Sequence, residues 1–196
     1  TDYLVGAFGS KLAKQDNLDG TWDDITGSLT LTAGNNNRFS FLSYRDTLLG
    51  TNNVNPVWKW TGTGNASLAT VPTNLTAAKW IIQFTGFSIL ANVFVDGVRY
   101  ASRFHWSSPG TIDTWDSADW IDVSRDDGQE ITGIKVLADK LVIFKERSIY
   151  IVSYTNDPDI PFVVQRTPSH VGCVSGFTIQ EVNNGLLFLS YDGFYY

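Results

Sequence analysis

The chain is predicted to be all-β, and three observations predict it. Its apolar residues fall in short β-branched or aromatic runs such as Phe39-Ser40-Phe41-Leu42-Ser43-Tyr44, Leu141-Val142-Ile143-Phe144 and Ile149-Tyr150-Ile151-Val152. Turn signals separate those runs at close intervals, among them Asp19-Gly20, Gly34-Asn35-Asn36-Asn37, Asp96-Gly97, Asp127-Gly128, Asn184-Gly185 and Asp192-Gly193, all residue types that tolerate positive φ. Finally, a hairpin-like unit recurs along the chain. A capped helical stripe is absent, although Gln129 to Lys140 could be argued for a short helix.

The units align on the residue that precedes their second strand. Asp2 stands before Tyr3-Leu4-Val5, Asp46 before Thr47-Leu48-Leu49, Gly86 before Phe87-Ser88-Ile89, Asp139 before Lys140-Leu141-Val142 and Asn184 before Gly185-Leu186-Leu187, at separations of 44, 40, 53 and 45. A preceding first strand recurs as Phe39–Tyr44, Trp80–Phe84, Ile131–Leu137 and Phe177–Val182. A third strand follows a second turn after Phe8-Gly9-Ser10, Lys145-Glu146-Arg147 and Tyr191-Asp192-Gly193. Trp22, Trp58/Trp60, Trp115/Trp120 and Phe162 mark a more variable fourth strand.

Units of roughly 40–50 residues with four strands each match the blades of a β-propeller. The expected units are 1–33, 34–76, 77–128, 129–168 and 169–196, forming one propeller region that is incomplete at both ends and belongs to a longer chain. A β-sandwich with evenly spaced strands is the alternative. The expected interior between blades includes Ile134, Val136, Leu141, Ile143, Ile149, Ile151, Leu187 and Leu189.

Composition narrows the function classes. The 196 residues are 43% hydrophobic and 17% charged, which describes an ordered protein with ample chain for a core. Fourteen Lys and Arg against 20 Asp and Glu give a net charge of −6, so tight nucleic-acid binding is not expected, although DNA could pass nearby. No apolar run approaches the roughly 18–20 residues that a spanning helix needs, so membrane insertion is not expected. A single cysteine, Cys173, allows no internal disulfide.

Candidate chemical sites are sparse. Asp113, Asp116, Asp119 and Asp122 lie close in sequence but lack the order of a calcium loop, and Asn156-Asp157-Pro158-Asp159 reads as a turn. His105 and His170 are far apart and there is no second Cys, so no metal set, no cofactor and no catalytic residue is expected. Cys173 lies among Val171, Gly172 and Val174, without an adjacent cation, and reads as a packed thiol. Asn17-Leu18-Asp19-Gly20-Thr21-Trp22 and Ser124-Arg125-Asp126-Asp127-Gly128 only approach the Ser-x-Asp-x-Gly-x-x-Trp turn of propeller hydrolases. The aromatics Trp58, Trp60, Trp106, Trp115 and Trp120, with Tyr195 and Tyr196, are the candidate ligand or partner contacts. Packing between sheets is the competing use of each tryptophan.

From Asp127 the wording becomes distinctive: Asp127-Gly-Gln-Glu-Ile-Thr-Gly-Ile134, Leu141-Val-Ile-Phe-Lys-Glu-Arg-Ser-Ile-Tyr150 and Gly185-Leu-Leu-Phe-Leu-Ser-Tyr-Asp-Gly-Phe194. With Phe104-His-Trp-Ser-Ser108 and Asp113-Thr-Trp115, this resembles propeller segments of tailed-bacteriophage virion proteins, especially tail-tube or nozzle-like components. The resemblance covers roughly Trp80 to Tyr196. It implies a non-enzymatic structural subunit of a phage tail or neck ring, present in the virion as a homo-oligomer beside other tail proteins and assembled in the bacterial cytoplasm. A carbohydrate-binding propeller that recognises a surface glycan is the alternative, and a propeller glycoside hydrolase ranks third.

Overall fold

The computed structural model describes residues 3–15 and 20–196. Within them the chain is all-β, with five small antiparallel sheets and only two one-turn 3-10 segments, Arg125–Asp127 and Gly176–Thr178. Sheet one contains β1 (Val5–Phe8), β2 (Lys11–Gln15) and β3 (Trp22–Asp24). Sheet two contains β4 (Ser40–Tyr44), β5 (Thr47–Thr51), β6 (Trp58–Trp60) and β7 (Ser67–Leu68). Sheet three contains β8 (Leu75–Phe84), β9 (Phe87–Val95), β10 (Val98–Ser107) and β11 (Trp115–Asp122). Sheet four contains β12 (Ile131–Leu137), β13 (Lys140–Lys145), β14 (Ile149–Tyr154) and β15 (Phe162–Arg166). Sheet five contains β16 (Gln180–Val182), β17 (Gly185–Leu189) and β18 (Phe194–Tyr195). Every sheet is an up-and-down meander and none closes on itself. No helix among the described residues is long and apolar enough to cross a membrane.

The repeat anchors occupy equivalent turns. Arg45-Asp46, Thr85-Gly86, Ala138-Asp139 and Asn183-Asn184 each join the first two strands of a sheet through two residues. The leading residue of each has positive φ, between 46° and 52°, the sign that primed hairpin turns require at that position. Asp2 and Asp19 lie outside the described residues. The segment from Gln129 to Lys140 forms β12 and its turn, because Ile131, Ile134 and Val136 find a neighbouring sheet to pack on. Trp58 and Trp60 sit on the third strand of sheet two, not the fourth. That position belongs to the two-residue strand Ser67–Leu68, which carries no aromatic signal.

The sheets pack face to face in chain order. Leu12 of sheet one meets Trp58 and Trp60 of sheet two. Leu42 and Leu49 of sheet two meet Ile81, Leu90 and Val93 of sheet three. Trp80, Ile89 and Phe104 of sheet three meet Leu141, Ile143 and Phe162 of sheet four. Val142 and Phe144, on the other face of β13, meet Leu186 and Phe188 of sheet five. A strand covered on both faces reads as a continuous apolar run, which is why Leu141-Val142-Ile143-Phe144 shows no polar alternation.

The expected interior holds for Ile134, Leu141 and Ile143, which are buried, while Val136, Ile149 and Ile151 are half-buried against the same clusters. Leu187 and Leu189 differ. They are half-buried, and Leu186 and Phe188 take the covered side, because the other face of sheet five meets no further sheet.

The sheets approach most closely beside their first strands. The Trp80 indole N–H donates to the Ile131 carbonyl (3.3 Å), and its ring lies 4.9 Å from that of Phe177. A Cβ on Gly133 would fall 2.6 Å from the Gly176 Cα, so the segment entering sheet five touches β12 only because both positions lack side chains. The Arg38 guanidinium, just before sheet two, sits 5.3 Å from the Phe177 ring centroid. Segments from sheets two, three, four and five thus converge.

Candidate functional site

The tryptophans have different surroundings. Trp58 is completely enclosed, its ring laid across Gly50, the residue opposite it on β5, where any Cβ would clash. Trp60 and Trp106 are also buried. Trp60 donates to the Gly64 carbonyl (3.0 Å), and Trp106 packs edge-on against Phe162 (5.2 Å). Trp115 is half-buried and donates to the Ile112 carbonyl (2.9 Å). Trp120 is exposed at 38%, with the Arg103 guanidinium carbon 3.4 Å from its ring centroid. Arg103 also lies 4.0 Å from the Tyr100 centroid and forms a bidentate pair with Asp122 (2.8 and 2.9 Å), so two rings and a carboxylate fix this cation.

The acidic residues near β11 do not converge. Asp113 takes Lys59 (2.9 Å) and Asp122 takes Arg103, while Asp116 accepts from the Ala118 N–H (2.9 Å). Asp119 lines a separate cleft of about 200 Å³ with Trp106, Tyr154 and Asp157. Burial, with the nearby Asp116 charge, raises its proton affinity. No group of three or more His, Cys, Asp or Glu among the described residues could hold a metal ion. His105 is buried with neither ring nitrogen partnered, and burial followed by the Arg103 charge lowers its pKa to about 4. Cys173 is fully buried, and burial pushes its thiol up, away from the reactive thiolate.

The distinctive wording from Asp127 forms one interlocked turn. Lys145, wholly buried on β13, donates to the carbonyls of Val123 (2.7 Å) and Ser124 (3.0 Å) and to Asp127 Oδ1 (2.6 Å). The Tyr150 hydroxyl reaches Asp127 Oδ2 (3.3 Å), and the Gln129 side-chain oxygen accepts from the Arg147 N–H (2.7 Å). The Lys145 ammonium fills a carbonyl-lined turn much as a bound cation would, and so ties the link between sheets three and four to β13.

The remaining feature lies at the two outer faces. On sheet one the Phe8 ring crosses Gly6 and stacks edge-on with Trp22 (5.1 Å), leaving the rings 56% and 42% exposed. On sheet five the Tyr196 ring crosses Gly185 and its hydroxyl donates to the Asn183 carbonyl (3.0 Å). Tyr195 turns the other way, stacking on Phe188, so Phe194 and Tyr196 point outward and are 74% and 71% exposed. Sheets two, three and four are each covered on both faces, whereas sheets one and five each present an aromatic face to solvent. Of the candidate contact aromatics only Tyr196 lies on one of these open faces; Phe8, Trp22 and Phe194 are not among those candidates. For Phe8 the signal is Gly6, two positions earlier on the same strand beneath its ring.

Comparison with known proteins assigns no family: no protein-family model matches the chain, and no curated protein matches it significantly.

Proposed function

We propose that this chain is an array of β-propeller blades acting as a non-enzymatic structural subunit of a tailed-phage virion, within a tail or neck ring or a nozzle-like assembly. The observation that carries the assembly role is the pair of open aromatic faces, Phe8 with Trp22 on sheet one and Phe194 with Tyr196 on sheet five. In a stack where each inner sheet buries both faces, these are the positions at which a further sheet continues the same packing. A head-to-tail contact of this kind forms a ring when its rotation closes and buries at least about 1,000 Å². The blade reading is supported by the five successive meanders and by the equivalent first turns of sheets two to five. The virion assignment rests on the resemblance of the segment from Asp127. The turn built by Asp127, Gln129 and Lys145 supports a packing role for that wording.

The test combines particle analysis with a face variant. Antibody labelling of phage particles is expected to find the protein in the tail or neck, and light scattering of the purified protein is expected to show an oligomer that Phe194→Lys dissociates. A monomer unaffected by the substitution and absent from particles would overturn the proposal. Turnover of a glycan with an acid–base pH profile would replace it with the hydrolase reading.

A further inference from the structure

Where the first strands of four sheets converge, the structure leaves a cavity of about 610 Å³, within the usual range of small-molecule sites. Its wall carries Arg38 from the approach to β4, Lys79 from β8, Arg99 from β10 and Glu130 from the approach to β12, with the amides of Asn35 and Asn36 at its rim. Three cations face one carboxylate, in a chain whose overall charge is −6. The local sign is therefore opposite to that of the molecule.

Glu130 does not neutralise this wall. It pairs with Lys79 at 3.2 Å, while Arg99 Nη2 lies at 3.9 Å, too far for a hydrogen bond. The fully buried Asn92 fixes both partners, donating to Glu130 Oε2 (2.9 Å) and accepting from Arg99 Nε. Arg99 is thus held through Nε, and its two terminal nitrogens keep donors for another acceptor. Arg38 has no ion pair among the described residues and rests beside the Phe177 ring. Burial lowers the proton affinity of Arg99, opposed by Glu130, yet a guanidinium stays charged, so Arg99 presents a partly desolvated positive charge to the cavity.

We infer that this cavity binds a small, multiply oxygenated anion, with Arg38, Lys79 and Arg99 gripping a carboxylate or phosphate group and Asn35 and Asn36 contacting its polar substituents. A fork-shaped guanidinium matches either group, and three cations drawn from the approach to sheet two and from two strands of sheet three place the binding energy where those sheets meet. The inference goes beyond the assembly role and does not depend on it. A ligand seated here would fix the mutual positions of sheets two and three.

Isothermal titration at low ionic strength tests it, using inorganic phosphate, galacturonate and neutral galactose as probes. At least one of the two anions is expected to saturate the protein with a Kd of about 1 mM or tighter, and galactose is not. The tighter anion identifies the charged group preferred. Arg38→Gln is expected to weaken binding about tenfold, whereas Glu130→Gln, which removes the resident carboxylate, is expected to strengthen it by a similar factor. Opposite signs from two neighbouring substitutions cannot arise from a shared loss of folding. Failure of both anions to saturate, equal binding of galactose, or affinity unmoved by both substitutions would overturn the inference.

Discussion

The Nζ of Lys145 lies 2.6 Å from Asp127 Oδ1 inside the protein, and the same ammonium takes the carbonyls of Val123 and Ser124. Desolvating an ammonium is costly, and this arrangement offsets the cost by using all three of its protons. Replacing Lys145 by Met removes the cation that balances Asp127, leaving that carboxylate only the Tyr150 hydroxyl and the Gln129 N–H, and is expected to cost about 3–5 kcal/mol in urea unfolding. A loss below about 1 kcal/mol would show that the turn holds without its cation.

His105 gives a pH dependence of defined sign. Its folded pKa of about 4 lies below the ordinary value of 6.5, so the unfolded chain binds the proton more readily. Its contribution is fully present above about pH 6.5 and falls away as the pH drops towards 4, amounting to roughly 3 kcal/mol at most. Measured by denaturant titration from pH 7 to 4, the unaltered protein is expected to lose stability relative to His105→Leu as the pH falls. A difference constant with pH would mean that the imidazole is hydrated in the native state.

Covered and open faces of the strands predict unequal costs for the same truncation. Ile143→Ala removes a fully buried side chain between sheets three and four and is expected to cost about 2–5 kcal/mol. Leu187→Ala, on the open face of sheet five, is expected to cost less than about 1.5 kcal/mol in the purified protein. Thermal unfolding with equal losses would place Leu187 under a cover.

Gly133→Ala puts a methyl group 2.6 Å from the Gly176 Cα and from Ile179 Cδ1. Backbone cannot give way as a flexible side chain can, so a loss of about 1–3 kcal/mol is expected. The damage is expected to centre on sheet five, visible as faster hydrogen exchange of the Leu187 and Leu189 amides than of Ile143. Uniform acceleration across both sheets would contradict a local contact.

Local chemistry determined the strands and their first turns. Asp46, Gly86, Asp139 and Asn184 sit where two-residue loops must reverse the chain, and φ preference together with β-branched runs act over only a few residues, so both are legible without a tertiary structure. Local pattern could not say which face of each strand is covered. In Leu186-Leu187-Phe188-Leu189 both faces are apolar, and only the position of sheet four selects Leu186 and Phe188 for burial. The same holds for the tryptophans: Trp58 and Trp120 are chemically equal in the sequence, and one is enclosed by sheet one while the other stacks on Arg103 in solvent. The cavity cations lie at positions 38, 79 and 99, and their approach depends on how sheets two and three pack against each other. The sequence alone therefore determined the repeating strands and turns. The tertiary structure decided burial, the open faces and the charged cavity, because these depend on contacts between residues that no local spacing brings together.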